Sequence, residues 1–245
     1  MPMEVPPPDI EKRGRGIDDY LSEGLDTIIS NPRLIIPFVP GVLASFLYGL
    51  YILKVLLQGG SLLNPSPDAL AFFTTRQFWV MTAAVASLVI VSTLSGMISV
   101  ANFVMSGELD LWIGLKKLPR TLLTYAVLVA VLTLFYLPLG AFKNVVIILG
   151  LVLIATVLFI PPLFLAPALL LEKSFPLPEL LAVYRESFGK SLVLGILYTL
   201  ATSAASSLIP VVGSFLNYLV LVPMFTASYS LLYRDLKKEK SALAL

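Results

Sequence analysis

Six long apolar runs constrain this chain more than any other feature of its sequence. The runs cover residues 34–57, 78–105, 121–141, 145–171, 191–209 and 214–233. Their single charged residue, Lys54, lies near the end of the first run. About 20 apolar residues suffice for an α-helix to cross the hydrocarbon core of a membrane, whereas barrel strands would alternate polar and apolar residues. The sequence therefore predicts an all-α fold, an integral membrane bundle of six transmembrane helices.

The composition of the chain excludes several kinds of catalytic chemistry. Hydrophobic residues make up 58% of the 245 residues and charged residues 13%, and the chain has neither cysteine nor histidine. Thiolate nucleophiles, imidazole acid–base catalysis and Cys/His metal sites are therefore excluded. Proton and ion pathways place ionisable residues within the spans, and these runs carry none at depth. We accordingly expect no enzyme activity, no cofactor, no metal ion and no nucleic-acid partner.

The distribution of lysine and arginine predicts how the bundle is oriented. If the N-terminus lies inside, six spans return the C-terminus to the same side, and 14 of the 17 cations fall on that side. The three that fall outside are Lys54, Arg76 and Lys143. Short cytoplasmic loops of membrane proteins are enriched in Lys and Arg. The pattern therefore predicts a multi-pass protein of the cell membrane with both termini in the cytoplasm.

A short amphipathic segment precedes each pair of apolar runs and ends at a break followed by one cation. The three junctions read Pro32-Arg33, Pro119-Arg120 and Gly189-Lys190. The spacing of apolar residues in these segments predicts three interfacial amphipathic helices on the cytoplasmic face. Because each unit would hold an even number of spans, the pattern predicts a parallel repeat rather than an inverted one.

The repeat pattern also suggests how the chain is organised. The predicted units cover residues 17–105, 106–171 and 172–236 of a single membrane domain. A disordered N-terminal tail, 1–16, and a C-terminal tail, 237–245, would flank this domain. Cations and tryptophan commonly fix helix ends at the lipid headgroups. The residues expected to act as interfacial anchors are Arg33, Arg120, Lys190 and Trp112.

Polar and helix-breaking residues within the runs are the candidates for a functional site. Pro161 and Pro162 should break the fourth span and free backbone carbonyls there. Small polar side chains can line a cavity or hold helices together, and packing is their commoner use. Asn102 and Asn217 are the amides of the spans and should face the bundle. The other candidates for a cavity or a helix contact are Ser95, Thr199, Thr202, Ser203 and Ser206.

Two proline-containing segments and the paired runs carry a resemblance to known proteins. The segments are Leu25-x-x-Ile28-x-x-Asn31-Pro32-x-Leu34, and Pro161-Pro162 followed by Pro167-Ala168-Leu169-Leu170-Leu171. The chain resembles a loose superfamily of six-span prokaryotic membrane proteins of unknown function. It is also similar to the membrane portion attached to some glycerophosphodiester phosphodiesterases. The resemblance implies a helical bundle without an assigned activity, because the phosphodiesterase catalytic domain has no counterpart in these residues.

Three functions are compatible with these features. The first is a non-enzymatic scaffold or accessory subunit of a membrane assembly, which would act through membrane lipids and through a protein partner or further copies of the chain. The second is a passive channel or carrier for small neutral or lipid-like solutes, which would need the polar residues of the fifth run to face a cavity. The third is a membrane enzyme of lipid metabolism. The absence of charge within the spans favours the first.

Overall fold

The chain folds entirely into helices over the part that the structure describes. The computed structural model describes residues 15–58, 66–136, 145–173, 176–208 and 210–243. Its helices are α1 (Ile17–Ser30), α2 (Val39–Leu57), α3 (Pro67–Phe72), α4 (Arg76–Ser106), α5 (Ile113–Lys116), α6 (Leu118–Tyr136), α7 (Val145–Glu172), α8 (Leu177–Glu186), α9 (Phe188–Leu208), α10 (Pro210–Leu216) and α11 (Val222–Leu243). A 3-10 segment, Pro32–Phe38, leads into α2, and a π-helical segment, Asn217–Leu221, joins α10 to α11. Residues 1–14 of the predicted N-terminal tail lie outside the described residues.

Six of the helices, counted over the described residues, are long and apolar enough to cross a membrane. Spans one to six are Pro32–Leu57, Arg76–Ser106, Leu118–Tyr136, Val146–Glu172, Phe188–Ala205 and Gly213–Ala242. This confirms the predicted all-helical, multi-pass class. The largest difference in boundaries is at the C-terminus, where α11 continues as far as Leu243. The predicted C-terminal tail, 237–245, is therefore helical over most of its length.

The six spans form an inner and an outer layer. Spans two, four and six pack against one another at the centre, and spans one, three and five lie around them. The inner spans are also the more buried ones. Small residues of all three inner spans are fully buried, among them Ala101 in α4, Ala168 in α7 and Ala227 in α11. Small side chains let membrane helices approach closely, which explains why these three spans occupy the centre.

Each outer span contacts two inner spans. Span one packs with span two, span three with span four, and span five with span six, as hairpin partners. In addition, span three contacts span two, span five contacts span four, and span one contacts the beginning of span six. The first residue after each junction cation is fully buried in these contacts, namely Leu34, Thr121 and Ser191.

The three predicted interfacial segments differ in length. α1 has 14 residues and α8 has 10, but α5 is a single turn of four residues. α4 ends at Ser106, and the following Gly107 reverses the chain with a φ of 76°. Only residues 108–117 then lie before α6 begins. Asp110 then accepts a hydrogen bond from the Trp112 N–H at 2.9 Å, which starts the single turn. α1 packs on α11, α5 on α4 and α8 on α7.

Candidate functional site

At the end of the bundle that carries both described termini, helix packing and ion pairs join several helix ends. Residues 234–243 of α11 continue beyond the apolar part of span six by about 15 Å at 1.5 Å per residue. α1 packs along α11, and α8 is joined to the same extension by an ion pair. We call α1, α8 and residues 234–243 the terminal platform. Most ion pairs among the described residues involve a side chain of this platform.

α1 is fixed to α11 by close packing. Tyr20 and Ile28 are buried, and Gly24 lies so close to α11 that a methyl group in its place would be 2.3 Å from the Ser228 hydroxyl oxygen and 2.9 Å from the Met224 carbonyl oxygen. The helix begins where Asp19 accepts a hydrogen bond from the Gly16 N–H at 2.8 Å. The glycine at position 24 therefore determines how closely α1 and α11 can approach.

Charged groups complete the contact between α1 and α11. Arg15 pairs with Glu23 at 2.9 Å and with Asp235 at 3.3 Å, and Arg234 pairs with Glu23 at 3.3 Å. The Tyr20 hydroxyl donates a hydrogen bond to Asp235 at 3.3 Å. Burial and the neighbouring Asp235 carboxylate raise the pKa of Tyr20 to about 12, so the hydroxyl remains a donor at neutral pH. The arrangement of charges sets the register of α1 on α11.

A second set of polar contacts joins α7 and α8 to the same extension. Glu172 accepts hydrogen bonds from the Tyr233 hydroxyl at 3.1 Å and from the Lys237 ammonium at 2.7 Å. Lys240 pairs with Glu186 of α8 at 2.7 Å. Exposed ion pairs contribute only about 0.2–1 kcal/mol each. Their role here is to hold the orientation of three helix ends, more than to stabilise the bundle.

Two cations bind the carboxyl-terminal carbonyls of inner spans. The Lys117 ammonium donates to the carbonyl oxygens of Leu170 at 3.1 Å and Leu171 at 2.7 Å. The Arg234 guanidinium donates to the Val104 carbonyl oxygen at 3.1 Å. The last carbonyls of a helix lack intrahelical partners and favour a nearby positive charge. Burial, and then the charge of Arg120, lower the pKa of Lys117 from its ordinary value.

Span four continues as a helix through Pro161, Pro162 and Pro167, so the break expected from the sequence is absent and this part of the span is a packing element. Pro161 and Pro162 are buried, and Gly195 of α9 lies so near the Pro161 ring that an added methyl group would be 3.3 Å from two ring carbons. Pro167 cannot donate to the carbonyl four residues earlier, which belongs to Leu163. The Tyr125 hydroxyl of span three donates a hydrogen bond to this Leu163 oxygen. A tyrosine on a neighbouring helix thus satisfies a carbonyl that a proline leaves free.

Replacing Tyr125 with phenylalanine tests this contact. We expect the free energy of unfolding to fall by about 1–3 kcal/mol, because the Leu163 carbonyl would be left without a donor. Unfolding in mixed detergent micelles, followed by circular dichroism, measures the change. Tyr218→Phe is the matched control, since the Tyr218 hydroxyl makes no hydrogen bond to another described residue. Equal stability of the two variants would contradict the role given to Tyr125.

The polar residues of span five do not share one environment. The hydroxyls of Tyr198 and Thr202 both donate to the Asn217 side-chain oxygen at 3.3 Å, which joins α9 to the start of the π-helical segment. The Thr199 hydroxyl bonds to a carbonyl of its own helix. Ser203 is exposed, and the side chain of Ser206 lies outside those described. Asn217 thus faces α9, and the described side chains of the stripe line none of five cavities of about 140 to 440 Å³ among the described residues.

The small residues of span two make helix contacts. Ser92 accepts a hydrogen bond from the Gly41 N–H at 3.0 Å and donates one to the Pro37 carbonyl. Ser95 lies against Gly114, where an added methyl group would be 2.1 Å from the Ser95 carbonyl oxygen. Asn102 donates to the Glu108 carbonyl at 3.0 Å and holds the turn after α4. Sequence reasoning missed Gly114 as a partner of Ser95, since the two residues lie 19 positions apart.

The four expected anchors lie at the end of the bundle that carries both described termini. Arg33 and Arg120 are exposed, and Trp112 is 66% exposed. Lys190 differs from them, because its ammonium lies over the Tyr20 ring of α1, 5.5 Å from the ring centre. A cation over an aromatic face is attracted by the ring quadrupole. Lys190 therefore contacts the terminal platform, while the other three side chains are exposed.

Comparisons with known proteins add no relative to this picture. No protein-family model, no curated protein and no solved structure matches the chain. The similarity to six-span membrane proteins of unknown function accordingly stays a prediction from the sequence, and the functional argument rests on the terminal platform and the packing of the spans.

Proposed function

We propose that this protein is a non-enzymatic scaffold or accessory subunit of a membrane assembly. It lies in the cell membrane with both termini in the cytoplasm, so that the terminal platform faces the cytoplasm. The observation that carries the proposal is the joining of α1, α7 and α8 to one helical extension of span six. Such a surface is preorganised, and a preorganised surface loses less conformational entropy on binding than a mobile one.

The exposed side chains of the platform support a protein or lipid contact. Leu181 of α8 is 66% exposed, and its neighbour Arg185 is exposed without an ion pair to a described residue. Ile29 at the end of α1 is also 66% exposed. Large apolar side chains beside free cations are suited to partners with an apolar surface and negative charge. Membrane lipids and the cytoplasmic part of another subunit both have this character.

We also propose that the bundle is a parallel repeat of three units with three cytoplasmic interfacial helices. The same relation recurs three times in support of it. The interfacial segment and outer span of the second unit pack on span two, which belongs to the first unit. Those of the third unit pack on span four of the second unit, and those of the first unit pack on span six of the third unit. A closed arrangement of this kind gives every apolar inner face a partner within one chain.

The proposed role is tested by extracting the full chain directly into native lipid discs and weighing the intact particle by mass spectrometry. We expect a second protein in fixed stoichiometry, or a defined number of copies of this chain. The contact surface is then mapped with a photoreactive residue at Leu181 on the platform. The matched control position is Leu200, which is 61% exposed on span five. Position 181 should crosslink to the subunit and position 200 to lipid.

Three results would overturn this function. A monomer that holds lipid alone would exclude an assembly. A monomer with a specific small molecule, together with flux above that of empty liposomes, would favour the carrier. Conversion of labelled lipid extracts by the purified protein would favour the enzyme.

A further inference from the structure

An apolar groove lies between the beginning of span one and the middle of span two. Pro37 and Pro40 form one wall, Leu88 and Val91 form the other, and Trp112 and Leu115 close the end toward the terminal platform. The groove has a volume of about 320 Å³. This lies at the lower end of the range of about 300–1,000 Å³ that is usual for ligand sites. A groove of this size accepts a single slender chain.

The shape of the groove follows from the helices around it. The 3-10 segment before α2 holds span one against span two through the bonds that Ser92 makes to the backbone at Pro37 and Gly41. The Ser92 hydroxyl is thereby occupied, so the groove offers apolar atoms almost throughout. Water in such a space would lose hydrogen bonds. An apolar occupant is therefore favoured over water.

The groove opens toward the lipid-facing side of the bundle. Ile36 at its edge is 52% exposed, and Leu88 and Leu115 are exposed as well. Spans one and two are both long and apolar enough to cross a membrane. The surrounding solvent at this depth is hydrocarbon, so lipid acyl chains are the apolar molecules with direct access.

A free cation lies above the groove. Arg33 and Ile36 belong to the same 3-10 segment, and residues three apart in such a helix lie on one face about 6 Å apart. Arg33 is exposed and makes no ion pair with a described residue. Trp112, at the same end, belongs to the residue type that favours the headgroup region of membranes. Positive charge above an apolar groove matches the charge and shape of an anionic phospholipid.

We propose that this groove binds one acyl chain of an anionic phospholipid whose phosphate pairs with Arg33. The chain lies along Pro40 and Val91, and the headgroup remains at the membrane surface beside Trp112. The lipid belongs to the same leaflet as the terminal platform. This site is independent of the scaffold function, because none of its residues belongs to α1, α8 or the extension of α11.

The test is a titration of the purified full chain with phosphatidylglycerol or phosphatidylcholine of identical acyl chains, followed by native mass spectrometry. We expect the first phosphatidylglycerol to bind about fivefold more tightly than phosphatidylcholine. This is the gain in affinity that one cation near a membrane surface gives toward an anionic lipid. Arg33→Gln should abolish the preference. Leu88→Trp should fill the groove and weaken the binding of both lipids severalfold.

Two matched variants serve as controls. Arg76→Gln removes an exposed cation at the opposite end of α4, and Leu200→Trp enlarges an exposed side chain of α9; neither residue lines the groove. Both should retain the wild-type affinities. Equal affinity of the wild type for the two lipids, or a preference that survives Arg33→Gln, would overturn the proposal.

A measurement on the wild type keeps the test independent of how the variants fold. Phosphatidylglycerol with a photoreactive group in its acyl chain should label α4 near Leu88 and Val91. Labelling spread evenly over the exposed spans would overturn the site. Failure of the scaffold function would leave all of these lipid results unchanged, since they require no partner subunit.

Discussion

Replacement of Gly96 with leucine is expected to lower the stability of the bundle sharply. A methyl group at Gly96 would lie 2.4 Å from the ring of Phe38, which is 1% exposed and has no space into which to move. Overpacking of a filled core costs about 1–3 kcal/mol, and a whole leucine against a fixed ring should reach the upper part of that range. The measurement is the free energy of unfolding in mixed micelles, with the melting temperature in lipid discs as a second readout.

The control for this change is Gly49→Leu on span one. An added methyl group at Gly49 meets no atom within 4 Å, and the open groove that Gly49 lines has room for the larger side chain, so stability should change little. If Gly96→Leu were as stable as Gly49→Leu, spans one and two would not be in contact at Phe38.

Replacement of Gly24 with leucine is expected to release α1 from the terminal platform while the six spans remain folded. The added side chain would collide with the Ser228 hydroxyl and with backbone atoms of α11, which cannot move aside as a flexible side chain does. At a cost of about 2 kcal/mol, the open state of α1 would be populated about 30-fold more. Amide hydrogen exchange of residues 17–30 measures this opening directly.

The matched change for α1 is Ser22→Leu. Ser22 lies on the exposed face of the same helix, and its hydroxyl bonds only to the Asp19 carbonyl among the described residues. Exchange in this variant should stay at the wild-type rate. Unchanged exchange in Gly24→Leu would mean that α1 lies free on the membrane surface, and it would remove the main support for the scaffold function.

The number and class of the spans were predictable from the sequence. A run of about 20 apolar residues is long enough to cross the hydrocarbon core. Because lipid offers no hydrogen-bond partners, the backbone of such a run must form a helix, whatever the rest of the chain does. The ends were less predictable. The charges from Arg234 to Lys240 suggested the end of span six, yet α11 continues to Leu243 because Glu172 and Glu186 on other helices pair with its lysines.

The sequence indicated which polar residues of the spans form contacts, but it did not indicate which residues they contact. Asn217 was expected to face the bundle, and it accepts hydrogen bonds from Tyr198 and Thr202. The prolines of span four were expected to free carbonyls, but the donor that reaches one of them, Tyr125, is 38 residues away from Leu163 in sequence. Distances along the chain contain no information about such a contact.

The hydropathy of a span does not predict whether it belongs to the inner or the outer layer. The helix of span four is the most apolar of the six, yet its first half, with the 62% exposed Leu153, faces outward while the half from Ile160 onward is buried. Lipid and protein interior are equally apolar, so hydrophobic content cannot distinguish the two. Transmembrane length and amphipathic spacing are properties of single segments and can be recognised in the sequence. The close approaches at Gly24, Gly96 and Gly114 depend on which helices meet, and that is a property of the folded bundle alone.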